Sequence, residues 1–150
     1  MTVDADAVAR LRRATAKLAR VLNAPATEEG LTPTQSSVLG LVANRGPISL
    51  ANLIDLERVN PTMLSRVIGK LDERGLLRRV PDPDDLRAAW VEVTERGSAV
   101  HQRIRDRRMA TVAECIVELP ARQVDALTRA LPALESLAEH LERRGASRAG

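Results

Sequence analysis

Residues 60–71, NPTMLSRVIGKL, combine an apolar stripe with side chains that can bind a polyanion. The apolar residues recur at i, i+3, i+4 and i+7, which places them on one side of a helix: Leu64, Val67, Ile68 and Leu71. Thr62 and Arg66 then point to the opposite side, and Ser65 and Lys70 flank them. Hydroxyl and cationic groups on such a face can reach base edges and phosphates in the major groove of DNA. The sequence therefore predicts a helix that presents one face to a core and the other to DNA.

The two ends of this helix carry residues that favour helix termini. Asn60 can cap the first free backbone N–H groups, and Pro61 suits the first helical position. Gly75 can adopt the left-handed conformation that follows many helices. The candidate DNA-binding residues of the segment are Asn60, Pro61, Thr62, Ser65, Arg66 and Lys70.

Two shorter helices are predicted ahead of this segment. Thr32 and Gln35 match a capping box that opens a helix over residues 33–44, and Gly46-Pro47 ends it.

Ser49 caps the next predicted helix, which runs to Leu56, and residues 57–59 form a tight turn into the Asn60 helix. A capped helix, a brief turn and a second helix with a polar N-terminal face constitute a helix-turn-helix.

The sequence after Gly75 changes to the pattern of extended chain. Residues 77–80 and 89–93 predict two strands, because their apolar residues alternate or cluster between turn residues. Residues 81–87, PDPDDLR, cannot be helical and predict the tip of a hairpin. The helix-turn-helix therefore carries a β-wing.

Long amphipathic helices are predicted at both ends of the chain. They cover residues 5–23, 94 to about 118, and 121–143, with a kink expected at Pro132. The first and last carry more apolar surface than one winged-helix core can cover. This excess predicts that they pack against each other and against a second subunit.

The composition is ordinary for a soluble globular protein of 150 residues, with 44% hydrophobic and 29% charged residues and a net charge of +3. The positive charge allows a polyanionic partner without requiring one. The single cysteine, Cys115, excludes an intrachain disulfide and fits a reducing compartment. No apolar run suits a signal peptide or a membrane span, so we expect a cytoplasmic protein.

Taken together, three stretches resemble the MarR (multiple antibiotic resistance regulator) family, in a pattern that extends over about residues 5–143. They are Leu31–Gln35, residues 60–79, and the run from Asp85 to Gly97. The resemblance implies a dimeric winged-helix regulator, usually a repressor, that binds a palindromic operator with helix 60–74 in the major groove. It also implies that Arg87 reaches the minor groove and that Asp85 braces it. Many members have a second basic residue where this chain has Leu86.

The predicted fold is mainly α with a small β-wing: a winged helix-turn-helix with N- and C-terminal dimerisation helices. Residues 1–30 would form a dimerisation helix and a loop bracketed by Pro25 and Gly30, residues 31–97 the DNA-binding domain, and residues 98–150 the C-terminal dimerisation helices. The predicted function is a homodimeric, sequence-specific transcriptional repressor. A small-molecule effector between the dimerisation and DNA-binding lobes would change the spacing of the two recognition helices.

Two other function classes stay open at this point: a sequence-tolerant architectural DNA-binding protein, and a helical partner-binding module without a DNA role. Catalysis is not expected, since no Cys-His pair, Gly-rich phosphate loop or paired carboxylates stand out. No cofactor or metal is expected either, because His101 and His140 lie far apart without further ligands.

Three remaining features receive structural interpretations. Cys115, among apolar neighbours, is expected to be a buried, inert thiol. Trp90 either lines an effector pocket or packs on the hairpin. A basic run in the long helix is interpreted as a solvated face: Arg103, Arg105, Arg107 and Arg108. The sequence does not identify effector-binding residues.

Overall fold

Helices make up most of the protein in the computed structural model, which describes residues 3–146 except 83, 86 and 87. The described elements are α1 (Ala5–Leu22), α2 (Ala24–Glu28), α3 (Pro33–Arg45), β1 (Ile48–Ser49), α4 (Leu50–Glu57), α5 (Pro61–Glu73), β2 (Leu77–Pro81), β3 (Ala89–Val93), α6 (Glu95–Val117) and α7 (Ala121–Ala146). Among them, no helix combines the length and apolarity that a membrane span needs.

The capping residues predicted from the sequence act as predicted. The hydroxyl of Thr32 accepts a hydrogen bond from the backbone N–H of Gln35 at 3.1 Å, and the Gln35 side chain accepts one from the Thr32 N–H at 2.9 Å. Ser49 accepts from the N–H of Asn52 at 3.2 Å at the start of α4. These bonds satisfy N–H groups that have no partner within the helix, so α3 and α4 begin where the sequence indicates.

A small antiparallel sheet has the strand order β1-β3-β2. Strands β2 and β3 form the predicted wing hairpin, with Leu77 opposite Val93 and Pro81 opposite Ala89. The third strand, β1, was not predicted, because two residues are too few to show an alternating pattern. Its Ile48 pairs with Val91, and both are buried.

The chain divides into two compact units, Met1–Arg108 and Met109–Gly150. The first unit has an aliphatic core to which α2, α3, α4, α5, the sheet and the start of α6 contribute: Ala26, Leu31, Val38, Leu39, Val42, Ile48, Leu53, Leu64, Val67, Ile68, Leu71, Leu76, Leu77, Val91, Val100 and Ile104. In the second unit, none of the side chains that the structure describes is buried.

The start of α6 is fitted closely to the start of β2. The Thr94 hydroxyl donates to the carbonyl of Gly75 and accepts from the N–H of Gly97 at 3.0 Å. A Cβ at Gly97 would lie 1.9 Å from the carbonyl oxygen of Leu76, so only glycine fits this position. The joint therefore fixes α6 relative to the wing.

Two sequence-based interpretations were wrong. Residues 24–28 form α2 rather than a loop: Pro25 stands in its first turn, where proline needs no hydrogen-bonded N–H, and both Pro25 and Ala26 are buried. Cys115 is exposed rather than buried, and its neighbours Val112 and Val117 are exposed too. Apolar neighbours in the sequence do not show what covers a helix face.

The last helix is continuous through Pro132. The kink expected at that position stays a prediction.

Candidate nucleic-acid interface

Helix α5 has one buried and one exposed face. Leu64, Ile68 and Leu71 are fully buried and Val67 is nearly so, as the spacing predicts. All six candidate residues of the segment are exposed: Asn60, Pro61, Thr62, Ser65, Arg66 and Lys70. The buried stripe holds the helix against the core of the first unit, while the exposed face remains available for a ligand.

The N-terminal end of α5 is ordered by its cap. The side-chain oxygen of Asn60 accepts from the N–H of Met63 at 2.7 Å, and Pro61 stands in the first turn. The preceding turn is set by Arg58, whose φ of 54° lies in the left-handed region and ends α4. The exposed N-terminus of a helix carries partial positive charge, so it can accept a phosphate as well as present side chains to bases.

Both cations on the exposed face are accessible. Within the described part of the chain, the Arg66 side chain makes no hydrogen bond or ion pair. Lys70 lies 3.8 Å from Glu73, and both side chains are about two-thirds or more exposed, at 67% and 72%. Such a pair is worth little in water, so Lys70 can exchange it for a phosphate.

The wing hairpin is held by side-chain pairs that cross it. Arg78 forms an ion pair with Glu92, its opposite residue on β3. The indole N–H of Trp90 donates to a carboxylate oxygen of Asp82 at 3.1 Å, which favours the interpretation of Trp90 as part of the hairpin.

The two wing candidates differ in what the structure says about them. The carbonyl of Asp85 accepts from the N–H of Ala88 at 3.0 Å in the turn, and Asp85 is exposed. Arg87, like Leu86, lies outside the described residues.

One exposed cation of β2 was not among the site residues predicted from the sequence. Arg79 stands opposite the buried Val91 in the hairpin register, and its side chain makes no hydrogen bond or ion pair with the residues that the structure describes. Alternation along β2 places it on the same side of the sheet as the buried Leu77, so the sequence pattern did not single it out.

Comparison with known proteins identifies the family. The sequence profile described as "MarR family" matches residues 31–89. Over 136 residues the chain is 30% identical to an uncharacterized HTH-type transcriptional regulator of Mycobacterium bovis, Mb0904, covering 91% of this chain and 95% of that protein. This protein belongs to the MarR family.

Solved structures agree with the assignment of this MarR-family chain. RV1404 from Mycobacterium tuberculosis is 26% identical, with a TM-score of 0.79 over 91% of this chain and 95% of its own. A mutant MarR from E. coli, crystallised in complex with operator DNA, is 25% identical, with a TM-score of 0.66 over 85% and 92% of the two chains. The predicted fold and family are confirmed: the protein is a winged helix-turn-helix, DNA-binding transcriptional regulator.

In this MarR-family protein the basic run of α6 is exposed at Arg103, Arg105 and Arg107, as the sequence suggested, but three of its four arginines also bond to other elements. Arg103 donates two hydrogen bonds to the carboxylate of Glu29, at 2.8 and 3.0 Å, and Arg107 forms an ion pair with Glu28. Arg108 donates to the carbonyl of Leu22 at 2.7 Å and to the hydroxyl of Ser36 at 3.3 Å. The partners precede the run by more than 70 positions, so helical periodicity could not reveal them.

His101 is the other polar group of α6 that faces the first unit. A Cβ at Gly40 of α3 would lie 3.2 Å from its Cε1, and its Nε2 is buried without a partner among the described residues. Burial, and then the positive charges of Arg105 and Arg108, lower the pKa of His101 below its ordinary value. Among the described side chains, no group of three or more His, Cys, Asp or Glu residues could hold a metal ion.

Proposed function

We propose that this protein is a homodimeric repressor that recognises a palindromic operator through the exposed face of α5. The observation that carries the proposal is the division of α5 into a fully buried apolar stripe and an exposed hydroxylic and cationic face. In this proposal Arg66 reaches base edges or phosphates. Further contacts to the DNA come from Thr62, Ser65 and Lys70. The capped N-terminal end of α5, at Asn60 and Pro61, lies against the DNA backbone.

The distribution of charge favours specific recognition over the architectural alternative. Residues 31–97 contain nine Lys or Arg residues and nine Asp or Glu residues, so this domain has no net positive charge. A sequence-tolerant binder depends on phosphate neutralisation by excess cations. A domain without an excess of positive charge needs contacts to base edges to bind a DNA site tightly.

Dimerisation is proposed from apolar surface that one chain leaves exposed. On α1, Val8, Leu18 and Val21 are each about half exposed, at 51%, 59% and 48%. On α7 the exposed leucines are Leu127, Leu131, Leu134, Leu137 and Leu141. A second copy would cover these stripes, with residues 1–30 and 98–150 as dimerisation segments, and would hold the two copies of α5 about 34–36 Å apart for two half-sites.

The proposal also covers a contact between the wing and DNA, and control of operator binding by an effector. Arg87 matches the wing position that reaches the minor groove, and Asp85 the acidic residue beside it. An effector would release the operator only if it bound one arrangement of the dimer more tightly than the other. That difference in affinity sets how far the equilibrium between the two arrangements shifts. Titration of the operator complex with phenolic or drug-like ligands tests the release.

The decisive experiment compares two single-arginine variants in operator binding. Footprinting of the DNA that flanks the gene finds the operator, and its affinity is then measured for Arg66→Ala and for Arg105→Ala, an exposed arginine on α6. We expect a loss of about 5- to 150-fold for Arg66→Ala, since a good base contact is worth ~1–3 kcal/mol. Arg105→Ala should bind like the wild type. Equal affinities for both variants and the wild type would contradict the assignment of α5.

A further inference from the structure

Glu29 bonds to two helices at once, through its side chain and through its backbone. Its carboxylate accepts both hydrogen bonds from Arg103 of α6. Its carbonyl oxygen accepts from Nη2 of Arg74 at 2.7 Å, and Nη1 of the same guanidinium donates to the carbonyl of Gly30 at 2.9 Å. Arg74 is the C-cap residue of α5. Residues 29 and 30 therefore join the end of α5 to the first half of α6.

The turn at Gly30 is shaped for this contact. Gly30 has φ +75°, a conformation that L side chains rarely adopt, and a Cβ there would lie 3.5 Å from Nη1 of Arg74. Two successive carbonyl oxygens thus meet one guanidinium. The planar fork of arginine can hold two such acceptors in fixed geometry, which the single ammonium group of lysine cannot do in the same way.

The link between Glu29 and Arg103 is present at neutral pH. The hydrogen bonds from Arg103 lower the pKa of the Glu29 carboxyl below its ordinary value, so this side chain stays charged. The side chains of Glu29 and Arg103 are 21% and 55% exposed. A pair open to water to this extent contributes little to the free energy of unfolding, so its main effect is on geometry.

The rest of this turn is attached to α6 in the same way. Arg107 pairs with Glu28 of α2, and Arg108 holds the carbonyl of Leu22 at the end of α1. The segment between α1 and Gly30 is therefore tied to α6 along its length, and the two hydrogen bonds from Arg74 extend the connection to α5.

We propose that Glu29, Arg103 and Arg74 are positioning residues that set the orientation of α5 for operator binding. The buried stripe holds α5 against the core, and the chain of contacts Arg103–Glu29–Arg74 fixes its C-terminal end relative to α6. This inference rests on the proposed function. It assigns a role in specific binding to three residues that lie off the exposed face of the helix.

A double-mutant cycle in the full-length protein tests the pair. Glu29→Gln, Arg103→Gln and the double variant are compared with Arg105→Gln, which removes a neighbouring arginine whose side chain makes no hydrogen bond or ion pair within the described residues. Each single variant should lose roughly 3- to 30-fold in operator affinity. The double variant should match the singles within about twofold, because all three remove the same contact. Affinity for an unrelated duplex should not change.

Arg74→Lys separates positioning from a direct contact with DNA. It keeps the charge and loses the paired carbonyl contact, so we expect a loss like that of Glu29→Gln with an unchanged salt dependence of binding. Wild-type operator affinity in Arg74→Lys, or an equal loss of affinity for operator and unrelated duplex in the Glu29 and Arg103 variants, would overturn the proposal.

A measurement without DNA distinguishes failure of this inference from failure of the proposed function. Hydrogen–deuterium exchange of the α5 amides should be faster in Glu29→Gln and Arg103→Gln than in the wild type and Arg105→Gln. Faster exchange in a protein that binds no operator would refute only the proposed function. Unchanged exchange together with unchanged operator affinity would refute the positioning role.

Discussion

The two compact units of the chain differ in how much apolar surface they bury. Met1–Arg108 closes an aliphatic core in which residues such as Leu39 and Ile68 are fully buried. Met109–Gly150 has no buried side chain among its described residues and exposes a row of leucines on α7. The core of the first unit can therefore be stable by its own packing, whereas the leucines of α7, like the apolar side chains of α1, form a surface that the proposed second copy would cover. In the proposed function, the DNA-binding face is therefore built within one chain, and assembly depends on a second copy.

Two leucine truncations test the difference in buried apolar surface between the two units, and they should give the largest effect. Leu71→Ala, in the first core, should lower the free energy of unfolding by about 2–5 kcal/mol at every protein concentration, because it leaves a cavity. Leu131→Ala, about half exposed at 51%, should instead destabilise the protein in a concentration-dependent way, because it weakens association. Urea denaturation at two concentrations, with sedimentation velocity, measures both. Concentration-independent losses of equal size would remove the distinction between the units.

Two glycine substitutions compare positions inside the first unit and should give a smaller effect. One lies at the contact between the start of α6 and Leu76, and the other lies on α5. Gly97→Ala forces a Cβ onto the Leu76 carbonyl and should destabilise by roughly 1–3 kcal/mol. Gly69→Ala, on α5, meets nothing within 4 Å and should stabilise by ~0.5–1 kcal/mol through helix propensity. Thermal denaturation compares the two variants. A neutral Gly97→Ala would mean that the start of α6 is not fixed by this contact.

The smallest expected effect concerns pH. The pKa of His101 is lower in the folded protein than its ordinary value of 6.5, so the unfolded chain binds the proton more readily. The stability from neutral His101 should be fully present above about pH 6.5 and decrease as the pH falls toward the folded pKa. Denaturant unfolding at several pH values should show a flatter acid dependence for His101→Gln than for the wild type. His140→Gln, at an exposed site, is the matched control, and an equal flattening by both substitutions would contradict the role of His101.

The sequence was informative wherever the structure depends on neighbours along the chain. Residues within a few positions of one another determine three features: the apolar spacing of α5, the wing hairpin, and the caps at Thr32, Ser49 and Asn60. These features were enough to select the exposed face of α5. They also carried the family resemblance that the comparisons confirmed.

Features that depend on distant residues could not be predicted. The partner of Arg103 lies 74 residues earlier in the chain, so the basic run was taken for a solvated face. The exposure of Cys115 depends on what packs against α6, which its apolar neighbours do not reveal. Likewise β1 is defined by its pairing with β3 rather than by its own two residues.

The proposed function requires that the exposed face of α5 recognises a specific DNA sequence. The most direct test is the ratio of affinities for the footprinted operator and for a scrambled duplex of the same length, at one fixed salt concentration near physiological. We expect a ratio of about 10³ or more. Similar affinities for both duplexes, with a steep dependence on salt, would contradict it and favour sequence-tolerant binding.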